Sequence, residues 1–81
     1  MTQKIKILKA MLDNPHKKYW KASDFQSGQY FIGYEASARM SELSYEYDDI
    51  LIIGKEGRFR TLSINWEKEK EIAEIKKMLD I

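Results

Sequence analysis

The chain has 81 residues and contains no cysteine, one proline, one histidine and four glycines. Without cysteine it can form neither a disulfide nor a thiolate metal site, which suits a reducing compartment. The single histidine, His16, stands in a polar loop with Lys17 and Lys18, so no metal centre is expected. Long apolar runs are also missing. The longest, Ile50-Leu51-Ile52-Ile53, is far short of the roughly 20 residues that span a bilayer. The opening MTQKIKILKAM lacks the apolar block and small-residue cleavage site of a signal peptide. Gly28, Gly33, Gly54 and Gly57 make no nucleotide-binding fingerprint. Glu35, Glu42 and Glu46 share one segment, but with no nucleophile or phosphate-cradling loop a solvated face is expected rather than acid–base chemistry. The chain reads as one soluble domain with no enzymatic activity, no cofactor, no small-molecule ligand and no place in a membrane.

Charge of one sign is scarce as well, since the net charge is only +1. Its distribution is uneven. Residues 1–40 hold seven Lys/Arg against three Asp/Glu, and residues 41–81 hold seven against ten. A basic front and an acidic tail can share one small surface.

What is present is periodicity. Ile5, Leu8 and Leu12, with Met11 beside them, form one stripe and predict a helix over about 3–13. Thr2 is its candidate cap, and Asn14-Pro15 ends it. Tyr19-Trp20 reads as a very short strand. A second helix is expected at about 22–27, with Lys21 or Ser23 at its start, Phe25 inward and Gly28 closing it. Ala36, Met40, Leu43 and Tyr47 make the stripe of a third helix at about 34–47. Asp48-Asp49 supplies a turn. ILIIGKEGRFRTLSI then predicts a hairpin over about 50–64, turning at Gly54-Lys55-Glu56-Gly57. Asn65 is a candidate cap for a last helix at about 66–80, striped by Ile72, Ile75 and Leu79 and flanked by Met78.

The order helix, short strand, helix, helix, strand, wing, strand, helix resembles the winged helix-turn-helix family. YWKASDF, SARMSEL and GKEGRFRTLSI carry the resemblance, which covers Ile5 to Ile64. It implies an α+β fold with a three-helix core, a β-hairpin wing and here an extra C-terminal helix. It also implies a cytoplasmic domain that binds double-stranded DNA, often a transcription regulator and often dimeric. In this family the third helix enters the major groove and the wing meets the backbone. Winged helices also serve as protein-interaction modules, so an adaptor or inhibitor is the alternative.

Projected at about 100° per residue, the third helix turns Tyr34, Ala38, Ser41, Glu42 and Tyr45 outward. Ser37 lies on one border and Arg39 on the other. Tyr34, Ser37, Ser41 and Arg39 are candidate DNA contacts, and Glu35–Arg39 is a candidate intrahelical pair. Lys55, Arg58 and Arg60 cluster on the wing, where cations suit phosphate. Lys17, Lys18 and Lys21 form a second basic group before the second helix. Tyr19, Trp20, Tyr30, Phe31 and Tyr34 are expected mainly in the core or at its rim. The stripe of Ile72, Ile75, Met78 and Leu79 needs an apolar cover. Ile7 and Met11 offer one on a second copy, which would make a homodimer; packing within the chain is the other possibility.

Overall fold

The Ile5 amide donates to the Thr2 hydroxyl at 3.3 Å, which satisfies one of the orphan donors at a helix start. In this computed structural model, which describes residues 2–80, helix α1 runs Gln3–Asp13 and stops at Asn14, as the following proline requires. Ile7, Leu8, Met11 and Leu12 are buried, while Ile5 is half-buried. The Ile7/Met11 flank, read from the sequence as available to a second copy, is therefore sealed inside the chain's own core.

Strand β1 is Trp20–Lys21, one residue later than the sequence suggests, and Tyr19 is exposed. Helix α2 follows at once as Ala22–Gln26. The Asp24 carboxylate accepts from the Lys21 amide at 2.8 Å and caps its start. Ser27 is extended, so α2 ends before Gly28. Gly28, at φ +78°, instead opens a single 3₁₀ turn over Gly28–Tyr30. The Ile32 and Gly33 amides both donate to the Phe25 carbonyl, at 2.8 and 3.2 Å. Those two bonds set the corner between α2 and helix α3, Ala36–Glu46. Tyr34 and Glu35 belong to that corner and not to the helix.

Tyr47 ends α3, and its carbonyl accepts from the Ile50 and Leu51 amides, both at 3.0 Å. The chain thereby turns at Asp48-Asp49 into strand β2, Leu51–Glu56, and strand β3, Phe59–Ile64. The turn itself is Gly57-Arg58, with Glu56 opposite Phe59, and is shorter than the expected Gly54–Gly57 turn. Gly57 has φ +60°, and a positive φ at the first central position is what a tight type II′ hairpin needs. Gly54 lies within β2 for another reason: a Cβ there would come within 2.9 Å of the Thr61 hydroxyl. The sheet order is β1-β3-β2, all antiparallel, with Trp20 opposite Leu62 and Lys21 opposite Thr61.

Helix α4, Glu69–Leu79, starts later than expected because Asn65 caps a turn instead. Its side-chain oxygen accepts from the Glu67 amide at 3.2 Å and its carbonyl from Lys68 at 3.0 Å. Glu69 and Glu71 in the first turn and Lys76 and Lys77 in the last suit the helix dipole. Ile72 and Ile75 are buried and Leu79 packs against the core, whereas Met78 is 68% exposed. The stripe thus finds its cover within the chain.

The described residues form a mixed α+β fold of four α-helices and one three-stranded antiparallel sheet. At its centre Trp20 stacks on Phe25 (5.1 Å, 12°) and meets Tyr30 edge-on at 4.9 Å. Leu43 of α3, Ile50 and the α1 side chains close round them. Full burial of side chains of this size stabilises by about 1.5–3 kcal/mol each.

Candidate functional site

Helix α3 has three kinds of surface besides its buried stripe of Ala36, Met40 and Leu43. One flank carries Ser37, Ser41 and Ser44 and looks across a groove toward the β2–β3 hairpin. The opposite flank carries Arg39, Glu42 and Glu46 and looks toward α1. Between them Ala38 and Tyr45 face outward, and Tyr34 of the preceding corner is exposed beside them; Tyr34 is 82% and Tyr45 84% exposed.

The acidic flank is neutralised by one cation of α1 and one of α3 itself. Lys4 of α1 donates to Glu46 at 2.7 Å and stands 3.9 Å from Glu42. Arg39 pairs with Glu42 at 3.2 Å, one turn onward. The expected Glu35–Arg39 pair is not among the ion pairs of the described residues. The Lys4 ammonium pKa is raised, first by its hydrogen bond to Glu46, against a smaller opposing effect of burial. Glu42, placed on the outward face by projection, is thus half-buried and engaged. Arg39 is turned the same way, and its Nε is buried with no acceptor among the described residues.

The groove between α3 and the hairpin has a volume of about 370 Å³. Its apolar lining includes Met40, Ile53, Phe59 and Leu62, and Arg58 and Arg60 stand among its walls. Ile53 and Phe59 remain 57% and 61% exposed.

The cations named from the sequence divide into two sets. Lys17 lies 3.7 Å from Asp24 and 5.0 Å over the Trp20 ring. Lys21 lies 3.8 Å from Glu56 and 5.7 Å over Phe59. Both are already engaged. Glu56 also raises the Tyr19 phenol pKa, chiefly through a hydrogen bond, with burial adding to it. Lys18, Lys55, Arg58 and Arg60 are exposed and in no ion pair among the described residues. Lys55 stands directly opposite Arg60 across the hairpin. Like charges in that position repel and destabilise a sheet. By strand alternation the pair shares a face with Ile53 and Leu62, and Leu62 is core. Lys55 and Arg60 therefore lie on the side of the hairpin that faces the helices.

Of the sequence candidates, the structure brings Ser37, Ser41, Arg58 and Arg60 to one groove. Lys55 adjoins them and Tyr34 is linked to the rim, where Gln26 donates to its carbonyl at 3.2 Å. Arg39 and Lys17 are held elsewhere by their carboxylates, and Lys21 is held at the hairpin by Glu56 and over Phe59. Three participants escaped the sequence reading: Lys4, which masks the acidic flank, and Ile53 and Phe59, which line the groove. Ser44 also belongs to the serine flank, although its hydroxyl donates to the Ser41 carbonyl at 2.6 Å. No group of three His, Cys, Asp or Glu able to hold a metal ion occurs among the described residues. Nor is any described helix long and apolar enough to cross a membrane. Compared with models of known protein families, with curated proteins and with solved structures, the chain has no match.

Proposed function

We propose that this chain is a winged helix-turn-helix domain that binds double-stranded DNA. In this reading α3 enters the major groove with Tyr34, Ser37, Ser41 and the outward ridge, and the β2–β3 hairpin is the wing on the backbone. One observation carries it. Among the described residues the wing keeps three exposed cations in no ion pair, two of them in mutual repulsion, beside a flank of α3 that presents no carboxylate to the groove. A phosphate backbone would relieve that repulsion, and cations facing phosphates supply sequence-independent affinity. Glu42 and Glu46, which would otherwise oppose the duplex, are neutralised by Lys4 and Arg39. A cytoplasmic role as a small transcription regulator goes with this proposal.

The test is titration of a labelled random-sequence duplex at several salt concentrations. Three or four phosphate contacts correspond to a slope of log K against log salt of about −2.7 to −3.6. Binding that is absent at low salt, or indifferent to salt, overturns the proposal. A second reading is favoured by the apolar groove, since Ile53 and Phe59 resemble anchors for a protein partner. Under it the same titration shows no duplex binding.

A further inference from the structure

We infer that the duplex sites this chain selects are recognised through thymine methyl groups and not through guanine, an inference that rests on the duplex reading proposed above. Guanine is read in the major groove by the fork of an Arg or by Lys, adenine by the amide of Asn or Gln, and cytosine by a carboxylate. The outward ridge within α3 offers none of these, and the exposed carboxylate of Glu35 belongs to the N-cap before the helix. That ridge is Ala38 and Tyr45, seven residues apart, with the exposed Tyr34 of the preceding corner ahead of them and the groove-facing flank of Ser37 and Ser41 alongside. Arg39, the only cation of α3, lies about 160° around the helix from Ser41 and is held by Glu42 at 3.2 Å. Glu42, a possible acceptor from cytosine, is on that same far flank and engaged by both Lys4 and Arg39.

What this surface does offer is a methyl group at its centre, hydroxyls that accept or donate to any base, and a phenol at each end. An alanine methyl and an aromatic ring gain from contact with the thymine C5-methyl. Opposite an unmodified G·C pair they find no methyl to meet. From Ala38 to Tyr45 the helix rises about 10 Å, which spans about three base-pair steps. The site read by α3 is therefore short, and Ala38 is its central specificity-determining residue. Phosphate contacts by the wing supply affinity without altering this preference.

The experiment is selection of binding sites from a random duplex library with the full chain. The enriched site is then resynthesised with uracil in place of each thymine. Uracil keeps every Watson–Crick and groove hydrogen-bonding group and removes only the methyl. The expected result is a loss of about fourfold in affinity for each contacted methyl, read by fluorescence anisotropy. In Ala38→Ser, with its fold checked by circular dichroism, the difference between thymine and uracil duplexes should shrink or vanish. Equal binding of the two duplexes overturns the inference, as does a selected site whose affinity depends on fixed G·C pairs. Salt-dependent binding without any enriched sequence also overturns it, while leaving the duplex reading intact. Absence of duplex binding overturns both.

Discussion

Replacing Arg58 and Arg60 together with alanine separates a binding role from a structural one, because the two roles predict changes of opposite sign. Neither guanidinium has a carboxylate partner among the described residues, and Arg60 stands opposite Lys55. If each arginine neutralises one phosphate, losing both flattens the slope of log K against log salt by about 1.8. Between about 50 and 200 mM salt, the wild-type affinity should then fall about 12-fold further than that of the variant. Stability should move the other way. Removing one member of a like-charged cross-strand pair relieves roughly 0.2–1 kcal/mol, and exposure of the pair places the gain near the lower end. The variant should therefore unfold in urea at the same or a slightly higher midpoint while binding duplex weakly. Anisotropy of a labelled duplex at four salt concentrations, together with urea unfolding, reads both quantities. An unchanged salt slope in a folded variant, or a stability loss above about 1 kcal/mol, would refute the reasoning.

Arg39→Met should cost well under the roughly 1–3 kcal/mol of a base contact, because Glu42 already holds that guanidinium; a loss as large as that of the wing variant would return Arg39 to the interface. Ile75→Glu should cost roughly 3–5 kcal/mol by burying an uncompensated charge, whereas Met78→Glu should stay within about 0.5 kcal/mol. Urea unfolding and sedimentation check this pair: a wild-type dimer that Ile75→Glu converts to a folded monomer would show that α4 seals a second copy. Lys4 supplies a pH test. Its folded pKa is raised above the ordinary 10.5, so its contribution is complete below pH 10.5 and is lost as pH rises through the folded value. The stability difference between wild type and Lys4→Met should shrink on that rise, and a difference that stays constant through strongly alkaline pH counts against the bridge.

The elements were legible where their cause is local. Apolar spacing located α1, α3, the hairpin and α4, and Thr2 and Pro15 bracketed α1 as local chemistry requires. Boundaries slipped where a long-range partner or a turn competes. Tyr34 and Glu35 continue the helical spacing, but the Phe25 carbonyl draws the Ile32 and Gly33 amides into a corner that delays α3. Gly54 resembles a turn residue, yet it serves the close approach of Thr61. The charge of the candidate face was the least legible feature. A helical projection puts Glu42 outward, and nothing within one turn reveals Lys4, which stands 42 positions from Glu46 along the chain. Arg39 had acidic neighbours on both sides, Glu35 and Glu42, and spacing alone does not choose between them. Among the aromatics, Trp20 is sealed in the core and Tyr30 packs against it as expected, whereas Tyr34 is left in water, because the corner carries it past the rim of the core.

The central aromatic stack also makes the protein its own optical probe. Trp20 is wholly enclosed, stacked on Phe25 and edge-on to Tyr30, and its indole N–H has no acceptor among the described residues. Trp66, in the link between β3 and α4, is 36% exposed. Emission from Trp20 should therefore lie to the blue of that from Trp66, and a dissolved quencher such as iodide should reach only the second. Quenched and unquenched intensity then report on different regions of one chain. The accessible fraction follows the seating of α4, and the inaccessible fraction follows the opening of the core.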